Sequence, residues 1–135
     1  MCTAVQYQYQ DQELRLFFNH PKAKLPVKIR HTQILVPWGR RIHQPGQLPR
    51  GGSIALDVIY AGRWDQWFPK PVKLPVTAFM QTDIEDKPHW FDVPKGKWIQ
   101  GLYVREKYEQ RVYIVTIEPL ETDSIYVSWP RILTG

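Results

Sequence analysis

One cysteine, Cys2, stands in a chain of 135 residues. A lone thiol excludes an internal disulfide framework and a cysteine-built zinc site. No apolar run approaches the roughly 20 residues that a membrane-spanning helix needs. The first residues also lack the basic start and apolar stretch of a secretion signal. The expectation is a cytoplasmic protein without a membrane partner. Twelve prolines, spread throughout, exclude long helices. A glycine-rich phosphate loop ending in Lys-Ser/Thr is missing, and so is a Gly-x-Ser-x-Gly nucleophile elbow. His20, His31, His43 and His89 lack metal-ligand spacing, so neither a metal nor a cofactor is expected. The acidic run "DIED" (83–86) reads as a solvated loop. What remains for chemistry is Cys2.

The length fits one domain, 1–135, with 43% hydrophobic and 13% aromatic residues to build a core. Lysine and arginine number 18 against 13 acidic residues, a formal net charge of +5. The N-terminal half carries a basic series from Lys22 to Arg63, and the acids gather later. Trp38, Trp64 and Trp67 are interleaved with those cations. Rings that stack on bases beside cations that hold phosphates are how single strands are bound without reading sequence. Trp38 and Trp67, with Arg40 and Arg41 beside Trp38, are the candidate DNA-binding residues. The competing view makes the tryptophans core and the charges a solvated face.

Alternation carries the secondary structure. "AVQYQY" (4–9) and "ELRLFF" (13–18) alternate strictly and are joined by the polar "QDQ", which predicts a hairpin. "QILVPW" (33–38) is a short strand ended by Gly39, and "GQLPRGG" (46–52) a loop. Ser53 could cap a helix carrying Ile54, Val58 and Ala61, whereas a strand there would use Ile54, Leu56 and Val58. The helix is preferred because it ends naturally at Pro69. Further strands are expected at 74–80, 89–93, 97–105, 111–118 and 124–129, with turns at "PKGK" and "EKYEQ". The fold class is α+β, mainly antiparallel β, barrel-like, with few short helices.

The position of Cys2 has its own chemical meaning. If Met1 is removed, the amine and thiol of Cys2 lie on adjacent carbons. Such a 1,2-aminothiol attacks aldehydes, the amine forming an imine and the thiol closing a thiazolidine. An internal cysteine cannot do this, because its nitrogen is tied up in a peptide bond.

Several stretches also line up, in order, with one family. Met1-Cys2-Thr3-Ala4 is similar to a Met-Cys-Gly-Arg start. Pro37-Trp38-Gly39 is similar to Arg/Met-Trp-Gly after a strand. Pro75-Val76-Thr77-Ala78-Phe79-Met80-Gln81-Thr82 looks like Pro-Ala-Asp-Gly-Phe-Tyr-Glu-Trp. Lys87-Pro88-His89-Trp90-Phe91 resembles Lys-x-Pro-Tyr/Trp-Phe. Gln100-Gly101-Leu102-Tyr103 resembles Ala-Gly-Leu-Trp, and Ile114-Val115-Thr116-Ile117-Glu118 resembles Ile-Ile-Thr-Thr-Glu. Tyr126-Val127-Ser128-Trp129-Pro130-Arg131-Ile132-Leu133 looks like His-x-Arg-Met-Pro-x-x-Leu. The chain thus resembles the SOS response-associated peptidase (SRAP) family, in divergent and shortened form.

The resemblance implies that Cys2 is the catalytic residue. It would be exposed by self-processing of Met1 and linked covalently to the ring-opened aldehyde of an abasic site in single-stranded DNA. It also implies a pocket at altered family positions. Gln81 stands for the family glutamate, Tyr126 for the histidine, and Ser53 falls at or near the asparagine. An amide cannot act as a general acid or base, and a tyrosine of ordinary pKa about 10 is a poor base near neutrality. Two alternatives stay open. One is a degenerate SRAP-like module that binds DNA without crosslinking or peptidase activity. The other is a β-barrel domain with a small-molecule or protein ligand and no role in DNA.

Overall fold

Gln10 and Asp11 both take positive φ, 51° and 64°, in a two-residue loop between β1 (Cys2–Tyr9) and β2 (Gln12–Phe17). Two left-handed residues are what a tight hairpin requires, because their twist matches that of the flanking strands. The computed structural model describes residues 2–119 and 125–135, and the account below concerns those. A second hairpin joins β3 (Lys24–Ile29) to β4 (Thr32–Pro37) through Arg30, at φ 56°. The sequence reading missed β3, because Pro26 interrupts its apolar pattern. The strand tolerates proline because its second edge is paired with another strand only at Lys28.

The chain then forms β5 (Ser53–Ala55), α1 (Leu56–Tyr60) and a 3₁₀ turn at Asp65–Trp67. The long helix expected from Ser53 is therefore corrected. Ser53 lies in a strand paired parallel to β10 (Glu109–Ile117), and the helix is one short turn that starts at Leu56. Next come β6 (Lys70–Leu74), β7 (Ala78–Thr82), β8 (Pro88–Asp92) and β9 (Lys97–Glu106). The single strand expected at 74–80 is split at Pro75 into the end of β6 and the start of β7. The last strand expected at 124–129 is corrected too. Residue 124 lies outside the described residues, 125–128 form no strand, and β11 (Trp129–Pro130) and β12 (Ile132–Thr134) follow.

The strands make two sheets. One has the order β2-β1-β7-β8, and the other runs β11-β10-β9-β6-β3-β4, with β12 on β9 and β5 on β10. The architecture is β-rich and mostly antiparallel, with one short helix. Among the described residues the ladders close no barrel, although one isolated bridge sets Trp38 beside Val112. Val5, Tyr7 and Phe79 of the smaller sheet meet Leu25, Val27, Leu74 and Ile99 of the larger in the main core. On the other side of β9 and β10, Leu102, Val104, Tyr113 and Val115 pack against Ile54, Leu56, Trp64 and Trp67. β10 is thus covered on both faces, which is why "RVYIVTI" reads as a nearly continuous apolar run rather than an alternating one.

Two glycines are required by close approach. A Cβ on Gly39, at φ 57°, would stand 2.1 Å from the Gly51 carbonyl oxygen. One on Gly101 would stand 2.9 Å from the Leu74 side chain.

The 39–52 segment is clamped to β10 by an ion pair. Arg111 Nε donates to Glu109 Oε2 at 2.6 Å, with both side chains about nine-tenths buried. Glu109 Oε1 accepts the backbone N–H groups of Gln47 and Leu48, while Arg111 donates to the carbonyls of Gly39 and Pro45. Burial pushes the Glu109 carboxyl up, but these donors outweigh it and hold it below its ordinary value. Glu109→Ala leaves a buried guanidinium without its counter-charge and two backbone donors without partners. A loss of roughly 3 kcal/mol in urea unfolding is expected, the low end for breaking a buried pair. A loss under about 1 kcal/mol would show that the clamp is solvated.

Candidate functional site

A β-bulge at Thr3 sets the register at the start of β1, so that Cys2 pairs with Gln81 on β7 and Gln81 in turn pairs with His89 on β8. Directly opposed residues in antiparallel strands project to the same face. Cys2, Gln81 and His89 therefore form one row across three strands, on the face that also carries Val5, Phe79 and Phe91 into the core. Cys2 is 3% exposed and its Sγ lies 3.7 Å from the Ala4 carbonyl oxygen. Burial pushes its thiol up to about 12. Burial thus disfavours the thiolate, the reactive form, in this arrangement.

Gln81 is fully buried. Its Nε2 donates to the Ser128 carbonyl at 2.8 Å, and its Oε1 is buried without a partner among the described residues. An unsatisfied buried acceptor carries a desolvation penalty of about 1–3 kcal/mol. It sits on the residue paired with Cys2. The Thr3 hydroxyl, on the bulge, is likewise buried without a partner. The segment that supplies the Ser128 carbonyl also brings Tyr126. Its ring packs edge-on to His89 at 6.0 Å and to Phe91 at 5.7 Å, and tilts against Trp129 at 5.2 Å. Three of the sequence-predicted residues, Cys2, Gln81 and Tyr126, thus belong to one neighbourhood.

Asp83 and His89 complete it. Residues 84–86 are exposed in a turn, as expected of a solvated loop, but Asp83 is only 8% exposed and departs from it. Its Oδ1 accepts the N–H groups of Glu85 and Lys87, and its Oδ2 lies 2.8 Å from His89 Nε2. The His89 hydrogen bond and the two N–H groups hold its carboxyl below the usual aspartate range. A carboxylate that fixes one imidazole nitrogen and leaves the other free is an arrangement suited to proton transfer. The sequence signal was present as an Asp six residues before a His, but only the β7–β8 turn folds it into a pair.

The other expected site residues lie elsewhere. Trp38 is fully buried, donates from Nε1 to the Gly52 carbonyl at 2.9 Å and packs edge-on to Phe18. It offers no face to a base, and its assignment to DNA binding is corrected to core. Arg40 donates to the carbonyls of Gln44 and Leu48. Arg41 donates to those of Phe18 and Trp38 and lies over the Phe18 ring at 4.2 Å. Burial, with Arg111 nearby, lowers the Arg41 guanidinium to about 10, where it is still charged at neutral pH. These two arginines hold a loop, and that use competes with phosphate binding. Trp67 is half-buried and edge-on to Trp64, which packs in the same way on Tyr113. Ser53 is half-buried in the larger sheet beside Ile114.

Among the described residues no helix is long and apolar enough to cross a membrane. No protein-family model, curated protein or solved structure matches the chain.

Proposed function

We propose that this chain is an SRAP-like domain that binds single-stranded DNA and, once Met1 is removed, captures abasic sites through Cys2. The supporting observation is the neighbourhood shared by Cys2, Gln81 and Tyr126. These positions come from both ends and the middle of the chain, and each was singled out by a separate motif. The isolated bridge between Trp38 and Val112 supports the barrel-like part of the resemblance, since it draws the end of β4 onto β10.

The chemistry balances without a cofactor. The freed amine condenses with the C1 aldehyde of the ring-opened sugar and releases one water. The thiol then adds across the imine, its carbon–sulfur bond forming as its proton passes to nitrogen. Gln81 Oε1 is an acceptor for the freed amine or for a sugar hydroxyl. His89, held by Asp83, is the titratable ring left beside Tyr126, where the family glutamate and histidine are missing.

A second reading, a degenerate module that binds DNA without crosslinking, is favoured by the burial of the Cys2 thiol and by the amide at Gln81. Intact mass before and after incubation with an abasic oligonucleotide decides between the two. Capture requires a chain lacking Met1 and a product equal to protein plus oligonucleotide less one water. Binding without a mass change selects the degenerate module, and absence of binding removes both.

A further inference from the structure

β3 and β6 touch at one register pair, and that pair is Lys28 opposite Lys73. Like charges directly opposed across antiparallel strands are destabilising. Lys73 Nζ donates to the Gly135 backbone oxygen at 3.2 Å, and no carboxylate side chain pairs with either lysine among the described residues. They line a groove of about 730 Å³ together with Arg30, Trp98, Gln100 and Arg131, and among the described residues none that lines it is acidic. Neither Lys28 nor Arg30 makes an ion pair among the described residues. Lys73 Nζ lies 4.2 Å over the Trp98 ring, and Arg131 donates to Gln100. The groove adjoins a second cleft through Pro71, Gln100 and Arg131, and in that cleft Tyr60 and Phe68 are 74% and 83% exposed.

The groove faces away from Cys2. Val27, Leu74 and Ile99 point into the core that contains Cys2. Their chain neighbours Lys28, Lys73 and Gln100 alternate to the opposite face of the sheet.

We propose that this outward groove is a binding track for a single-stranded polynucleotide. Lys28, Arg30, Lys73 and Arg131 would take phosphates, and bases would stack on Trp98 and toward Phe68 and Tyr60. Four cations without a carboxylate are complementary to a polyanion, and the rings interleaved with them suit bases rather than lipid headgroups or acidic side chains. A concave track crossed by strands also suits one flexible strand better than a flat membrane surface. The proposal goes beyond the functional reading above, because it adds a second surface for a strand on the face opposite Cys2, and it stands whether or not Cys2 reacts.

The test uses the full chain and a labelled 15-nucleotide oligothymidylate without an abasic site, followed by fluorescence anisotropy across a salt series. Four phosphate contacts at about 0.7 each give a log–log salt slope of about −2.8 for a single strand. Lys28→Glu with Arg30→Glu should weaken binding at least tenfold at low salt and shrink the slope to about −1.4. Lys22→Glu with Lys107→Glu makes the same change in net charge away from the groove, and should weaken binding less than threefold. Lys28→Gln with Arg30→Gln serves if the reversed pair fails to fold. Equal losses in groove and control variants, or an unchanged slope in the groove variant, overturn the proposal. So does groove-dependent binding to phosphatidylserine vesicles without DNA binding. Failure of Cys2 capture is read separately: an abasic oligonucleotide at saturating concentration should crosslink equally in the groove variant and the wild type.

Discussion

Cys2→Ala should abolish every denaturation-resistant adduct with abasic single-stranded DNA while leaving the strand bound. The thiazolidine needs both the freed amine and the thiol, and alanine keeps only the amine. An amine alone stops at an imine, which water reverses on denaturation. The substitution deletes one buried sulfur, so it should cost only about 1 kcal/mol of stability and the domain should still fold. Wild-type reaction should accelerate from pH 6 to pH 8. Imine formation uses the neutral amine, whose ordinary pKa is about 8, and the thiolate fraction also rises with pH. Iodoacetamide should accordingly label Cys2 slowly in the folded chain that keeps Met1, and quickly in urea. Gel electrophoresis under denaturing conditions reads the adduct. An adduct that persists in Cys2→Ala would point to another nucleophile of the chain and remove Cys2 from the chemistry.

The parts of the fold visible in the sequence were those set by short-range patterning. "AVQYQY" and "ELRLFF" alternate because one face of each strand is core, and the structure pairs them as a hairpin. β8, β9 and β10 were legible for the same reason or because they are apolar throughout. Ser53 misled because one residue type caps helices and also sits in strands. Its role as a strand was set by parallel pairing to Ile114, a contact that local sequence does not show.

The site was legible in part. Cys2 stood out by position, and Gln81 and Tyr126 by resemblance. The cations were misjudged, because sequence adjacency of Arg40 and Arg41 to Trp38 says nothing of burial. Both arginines spend their donors on backbone carbonyls. The cations that do crowd together, Lys28 and Lys73, are far apart in the chain and meet only through the β3–β6 pairing. Asp83 was hidden for a related reason. In a run of acids nothing distinguishes the one whose carboxylate turns inward to receive two N–H groups and an imidazole.

Gln81→Glu should speed adduct formation by about 10²–10⁴-fold, the usual contribution of a positioned acid or base. The amide now donates to the Ser128 carbonyl and leaves Oε1 without a partner among the described residues, fully buried. A carboxylate in its place would set an anionic oxygen against that carbonyl, so the carboxyl should stay protonated and donate to it. Burial and this acceptor both raise its pKa above the ordinary glutamate value of about 4.3. The sign of the stability effect follows. The neutral form is favoured in the folded state, so stability should be highest below about pH 4.3 and should fall as pH rises toward the folded-state pKa. Thermal melts at pH 5 and pH 8 should therefore diverge in Gln81→Glu and not in the wild type. Once Met1 is gone, the ammonium of Cys2 gives the same carboxyl a cationic partner on the paired residue. It can then ionise, take a proton from the amine, and return one to the leaving hydroxyl as the imine forms. Adding Tyr126→His places a second titratable ring beside His89 and should raise the rate further. Single-turnover time courses on the wild type and the two variants measure this. Equal rates in all three would assign proton transfer to His89 as held by Asp83, and would mean that residues 75–82 do not correspond to the family stretch they resemble.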